Sequence, residues 1–92
     1  MAIPKERSAT HPGEVLLEEY IKPLGLTQAS LAKELDISTN RLNELVRGKR
    51  GITANTALRL ARRFNTSPEF WMNLQSAYEL TEARASMAFQ VS

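Results

Sequence analysis

A chain of 92 residues can close around one hydrophobic core of four or five helices, but it is too short for a large enzyme cleft. It contains no cysteine, which excludes disulfides, thiolate metal sites and a cysteine nucleophile and is compatible with a reducing cytoplasm. The net charge is +2, no apolar run approaches the ~18 residues of a membrane span, and MAIPKERSATHPGE lacks the apolar centre of a secretory signal, so a cytoplasmic location is expected.

Residues 1–10 mix charge with Pro4 and show no periodicity, so they read as a flexible N-terminal arm, leaving 11–92 as a single domain. His11, Pro12, Gly13 and Glu14 mark a helix start, with proline suited to the first helical position and Glu14 to the positive end of the helix dipole. Leu17, Tyr20, Ile21 and Leu24 then recur at i, i+3, i+4 and i+7. This predicts one buried face before Pro23 and Gly25 end the helix.

The next stretch, LTQASLAKELDISTNRLNELVRGKR, contains two capped amphipathic segments. Thr27 caps a helix with Leu31, Ala32 and Leu35 on one side, and Ser38 caps another with Leu42, Leu45 and Val46. About three residues join them, the spacing of a helix-turn-helix at about 27–47, whose second helix enters the major groove of DNA. Thr39, Asn40, Asn43 and Arg47 lie away from the apolar row and can all hydrogen bond. Asp36 sits at the turn, a position that often takes a positive φ; aspartate tolerates that conformation at modest cost.

Gly48 can close this helix, followed by a basic loop of Lys49, Arg50 and Gly51. Thr53 caps a fourth helix with Ala57, Leu60, Ala61 and Phe64 on its inner face, Ile52 can staple onto Ala57, and Asn65 is suited to the C-terminal stop. Ser67, Pro68 and Glu69 open a fifth. Its Phe70, Trp71, Met72, Leu74, Ala77, Tyr78 and Leu80 cover more than one face, more than the rim of so small a monomer can bury. Phe70, Trp71, Leu74 and Tyr78 are therefore expected to form a homodimer interface, the alternative being that Trp71 is a large core residue. The helix is expected to continue from Thr81 to Ala88 and then fray, completing a compact all-α bundle of five helices.

Charge is unevenly distributed. From Ser38 to Asn65, Arg41, Arg47, Lys49, Arg50, Arg59, Arg62 and Arg63 stand against Glu44 alone, giving +6, while residues 1–37 and 66–92 carry −2 each. A basic surface beginning in the second motif helix and running on to Arg63 suits phosphate contact. Catalysis has little support. The lone His11 belongs to a helix start, Glu18 and Glu19 point in different directions on a helix, and none of the serines lies in a G-x-S-x-G motif. No enzyme, cofactor, metal or small-molecule substrate is expected.

The runs HPGEVLLEEYIKPLGLTQ and GKRGITANTALRLARRFNTSPEFWMNLQ, with the YEL that follows, resemble the HigA-type antitoxins, helix-turn-helix proteins of the XRE group with a lambda-repressor-like fold. The resemblance implies two roles. One is to bind and neutralise a co-encoded HigB-type toxin, a RelE-like messenger RNA endonuclease. The other is to repress the shared operon by binding a palindromic operator as a dimer. It further implies that Gln28 contacts a phosphate, that Thr39, Asn40 and Asn43 read bases, and that Arg47, Lys49 and Arg50 touch the backbone or groove edge. Ser38 lies at the same surface; Asn40 or Asn43 could pair with adenine, and Arg41 or Arg47 with guanine. The alternative is a stand-alone XRE-type transcriptional regulator with no toxin partner.

Overall fold

A computed structural model describes residues 9–91, with the side chains of residues 9–88; the first eight residues of the expected arm lie outside the described residues. Helix α1 (Pro12–Val15) runs into a π-helical segment (Leu16–Ile21), followed by α2 (Gln28–Leu35), α3 (Thr39–Val46), α4 (Ala54–Phe64) and α5 (Pro68–Val91). The described chain is all-helical, with the predicted helix-turn-helix formed by α2 and α3.

Local chemistry sets where each helix begins and ends. His11 Nδ1 and the hydroxyls of Thr27, Ser38, Thr53 and Ser67 each accept a backbone N–H from the first turn that follows. The first four helical stretches stop at residues in the left-handed region: Gly25, Asp36, Gly48 and Asn65, with φ of 66°, 59°, 75° and 57°. At each stop the following N–H folds back to a carbonyl of the last turn: Leu26 to Ile21, Ile37 to Ala32, Lys49 to Glu44 and Thr66 to Ala61. The positive φ expected at Asp36 and the stop expected at Asn65 are both present.

The first apolar row differs from its expected register. Leu16 is fully buried and Ile21 nearly so, Leu17 and Tyr20 are half-buried, and Leu24 is 56 % exposed. The cause is the wide turn, in which Lys22 N–H reaches Leu17 O at 3.0 Å. Bonds from i to i+5 bring residues five apart into line, so Leu16 and Ile21 share the inner face and Leu24 falls in the turn that Gly25 closes.

The core gathers Leu16, Ile21, Leu31, Leu35, Leu42, Leu45, Ile52, Leu60 and Trp71 around the small Ala32 and Ala57. Trp71 is fully buried, its ring centroid 5.3 Å from that of Tyr20 and its Nε1 donating to Thr66 Oγ1 at 2.8 Å. This corrects its assignment to a homodimer interface, because a side chain closed into its own core cannot also meet a second copy. Leu74 packs half-buried against the same core, and Tyr78 is half-buried with its ring edge-on to His11. The buried side of α5 therefore follows 71, 74, 75 and 78, while Phe70, Met72, Leu80 and Met87 remain exposed.

Two close approaches tie the bundle together. A Cβ on Gly13 would lie 1.7 Å from the carbonyl oxygen of Leu45, so α1 crosses directly against the backbone of α3. Buried Gln75 accepts the Ile52 N–H through Oε1 at 2.7 Å and donates through Nε2 to Glu79, fixing the loop after α3 to α5. Helix α5 continues to Val91. Among the described residues no helix is long and apolar enough to cross a membrane.

These approaches make the glycines unequal. Gly13→Ala must push two helices apart and is expected to destabilise the fold by about 2 kcal/mol or more. Gly25→Ala, with nothing within 4 Å of its added Cβ but with φ at 66°, should cost only about 1 kcal/mol. Urea unfolding midpoints would check the order, and equal midpoints for the two variants would contradict the close crossing of α1 on α3.

Candidate nucleic-acid interface

Helix α3 is amphipathic in the strict sense that its two sides have different work. Leu42 and Leu45 are buried, and Val46 packs against the same core. Successive residues on a helix turn by about 100°, so Thr39, Asn43, Arg47 and Asn40 follow one another around about 100° of the helix, from the edge of the apolar row at Thr39 to the side turned away from it at Asn40. Thr39, Asn40 and Arg47 are exposed, and Asn43 is half-buried because it leans on α2. Its Nδ2 donates to Gln28 Oε1 at 3.1 Å, joining two residues that the sequence places fifteen positions apart.

Not every cation assigned to this surface reaches it. Arg41 is the first correction: it lies across the helix from Asn43, and its Nη2 donates to Thr56 Oγ1 at 2.7 Å. Thr56 is buried, its N–H capped by Thr53 and its Oγ1 also accepting the Thr53 hydroxyl, so the guanidinium ties α3 to α4 and is turned away from the Asn40 side. Ser38 serves α3 directly, accepting the Arg41 N–H at 3.0 Å.

The second correction concerns the basic stripe expected to run to Arg63. Arg59 donates to the Leu35 carbonyl at 2.9 Å and to Asn55 at 2.7 Å, with the Asp36 carboxylate 3.8 Å away. Arg63 pairs with Glu34 and lies over the ring of Phe64. Both arginines thus brace the C-terminal end of α2, where the helix dipole favours a cation. Among the described residues, the cations that follow α3 directly are Arg47, Lys49 and Arg50, all exposed. Of these Arg50 is held by Glu44, with contacts of 2.8 and 3.1 Å to Oε1.

Beside Arg47 lies an open cleft of about 510 Å³, where the start of α1, the end of α3 and the middle of α5 meet. Thr10, His11, Glu14, Arg47, Tyr78 and Glu82 contribute to its walls. His11 Nδ1 accepts the Gly13 N–H at 2.9 Å, which requires that nitrogen to be unprotonated. Burial lowers the His11 pKa from its ordinary value and outweighs the opposing pull of the Glu14 carboxylate.

Sequence reading missed Thr56, Gln75 and the pairing of Gln28 with Asn43. A buried threonine or glutamine has no periodic signal of its own, and a pairing between two helices depends on their crossing. The His-Pro-Gly helix start was the one available hint that α1 must approach another backbone closely.

Known proteins share both pattern and shape. The helix-turn-helix family matches residues 17–71. Virulence-associated protein I of Dichelobacter nodosus is 54 % identical, the match covering 90 % of this chain and 80 % of that protein. Antitoxin HigA-1 of Vibrio cholerae is 34 % identical over 86 % of this chain and 74 % of its own length. The solved structure of Pseudomonas aeruginosa antitoxin HigA with higBA promoter superposes with a TM-score of 0.86 at 44 % identity, covering 91 % of each chain.

The His11 cap has a pH signature. Its folded pKa is lowered, so the unfolded chain binds the proton first; the cap's contribution is complete above the ordinary histidine pKa of about 6.5 and declines as pH falls through the lowered folded value. His11→Asn, which keeps a capping acceptor but does not titrate, should remove this acid-side loss of stability. Denaturation midpoints between about pH 5 and 8 test this, with the ring protons of His11 followed by NMR. A folded His11 titrating above the ordinary histidine pKa would contradict the assignment.

Proposed function

Because the chain belongs to the helix-turn-helix family, within its group of HigA-type antitoxins, we propose that it binds operator DNA through α3 and neutralises a co-encoded toxin, repressing the operon that encodes both. The observation that carries the DNA half is the exposed arc of Thr39, Asn40, Asn43 and Arg47 on a helix whose other side is locked into the core. Thr39, Asn40 and Asn43 read base edges, and Arg47, Lys49 and Arg50 meet phosphates on either side. This division is the usual one, in which backbone contacts position the protein and base contacts specify the sequence. The toxin half rests on family membership and on the name of the Vibrio cholerae relative.

A second copy completes the reading unit. Two recognition helices carried by a homodimer would address half-sites about one helical turn apart in a palindromic operator. Helix α5 supplies the means, since it projects past the core and carries exposed Met72, Leu80 and Met87 along one outer side, with Phe70 exposed at its base. A helix end exposed on all sides gains little from its own domain, whereas pairing with another α5 buries those side chains. Phe70 thus remains from the expected dimer set, joined by outer residues in place of Trp71; Leu74 and Tyr78 can contribute only at the edge.

The two surfaces should separate in experiment. Asn40→Ala is expected to lose about 1–3 kcal/mol of preference at one base pair. Arg47→Ala should weaken binding to all sequences and lower the slope of log K against log salt by about 1 per protomer. Both variants should still protect cells from the product of the neighbouring reading frame. If that product is harmless alone, or stays toxic beside the wild-type protein, the antitoxin reading fails and a stand-alone regulator takes its place. Leu80→Glu should convert the dimer to a monomer in sedimentation and reduce operator affinity; an unchanged mass would remove α5 from the interface.

A further inference from the structure

We infer that Gln75 is a positioning residue for DNA binding, holding the basic loop after α3 in the conformation that presents Lys49 and Arg50 to phosphates. The inference rests on the reading of those two residues as phosphate contacts, as proposed above. The loop leaves α3 in a fixed way: Gly48 takes φ 75°, and the Gly48 and Lys49 N–H groups return to the Leu45 and Glu44 carbonyls at 3.0 and 2.8 Å. Its far end is held from α5. The Ile52 side chain enters the core, its N–H donates to Gln75 Oε1 at 2.7 Å, and Gly51 lies so close that an added Cβ would be 2.8 Å from Gln75 Nε2. Lys49 and Arg50 stand exposed between these two anchors.

Gln75 is 8 % exposed, and its amide can satisfy Ile52 in only one orientation. Its Nε2 donates to Glu79 Oε2 at 2.8 Å, one turn further along α5. An ionised carboxylate only accepts and a backbone N–H only donates. Turned over, the amide would set its oxygen against the Glu79 carboxylate and its own N–H groups against that of Ile52, which would be left buried without an acceptor. Glu79 thus selects the orientation, and Gln75 passes it to the loop. What the loop gains is order before contact. Lysine and arginine lose conformational freedom when they meet a phosphate, and a segment already pinned at both ends has less to lose.

Two changes that leave the net charge unaltered test the role. Gln75→Met keeps the length of the side chain but neither hydrogen bond. Gln75→Glu combined with Glu79→Gln keeps both bonds, the introduced carboxylate accepting the Ile52 N–H and the amide one turn on. Binding to the operator and to random duplexes is measured across a salt series, after circular dichroism shows each variant folded. Gln75→Met should weaken binding to all duplexes, of order tenfold, and lower the slope of log K against log salt by about 1–2 per protomer. The exchanged pair should return the affinity to within about threefold of the wild type, together with its slope. In a background of Lys49→Ala and Arg50→Ala, Gln75→Met should add nothing further. If Gln75→Met does not fold, Gly51→Ala, which displaces the same amide by contact, is read in its place with the same expected losses. A folded variant that keeps the wild-type slope, an exchanged pair that fails to restore it, or a loss that persists undiminished in the alanine background shows that Gln75 only supports the fold. If the alanine background itself binds with the wild-type slope, the loop is no phosphate contact, and the reading beneath this inference falls instead.

Discussion

Helices of eight residues, the length of α2 and of α3, are too short to persist in water unsupported, where about 12–15 residues are marginal even for good helix formers. What sustains them here is that each end is satisfied locally while one side is buried. The turn between them shows the constraint at its tightest. Asp36 takes φ 59°, Ile37 returns its N–H to Ala32, and the Ser38 hydroxyl at once accepts the Arg41 amide in the first turn of α3. The crossing of the two helices is thus fixed by hydrogen bonds of the turn as well as by Leu31, Leu35 and Leu42. Gly13 then lets α1 press on the Leu45 carbonyl from behind, and the outward arc of α3 is displayed on a support that cannot easily yield.

The features legible in the sequence were those decided within a few residues. Thr27, Ser38, Thr53 and Ser67 all cap as expected, and Asp36, Gly48 and Asn65 stop helices where they should, because capping and left-handed geometry depend on the residue type and its immediate neighbours. The first apolar row was misread by one position, Leu17 for Leu16, because a helical period of 3.6 was applied to a segment that forms i to i+5 bonds. Trp71 was misread for a different reason. An excess of apolar residues on α5 reveals that some must remain outside, but which ones depends on where α4 and Tyr20 happen to lie.

Charge is the property for which the linear reading erred most instructively. Counting from Ser38 to Asn65 finds a real excess of arginine, yet a count along the chain has no direction in space. Arg41 is spent on Thr56, Arg59 on the end of α2, and Arg63 on Glu34, so much of the excess holds the motif together from behind. These groups differ in how firmly they are committed. Arg59 is half-buried with a carbonyl and an amide oxygen as partners, and leaving them would abandon the carbonyl end of α2. Arg50 and Glu44 form an exposed pair of the kind that contributes about 0–1 kcal/mol, which a neighbouring phosphate can outcompete.

That difference bears on how such a surface could combine affinity with selectivity. Its centre is made of neutral hydroxyl and amide groups, Thr39, Asn40 and the Gln28 and Asn43 pair, while its cations lie at the margin at Arg47, Lys49 and Arg50. Neutral groups gain little from mere proximity to DNA and gain most when donors and acceptors match a base edge, so a mismatched site leaves them unpaired and is penalised. Marginal cations attract any duplex and fade with salt. An arrangement with few free cations and a preorganised neutral centre therefore shifts the balance from general attachment towards discrimination. The arginines turned inward contribute to this twice, by removing charge that would bind any sequence and by stiffening the frame on which the amides are held.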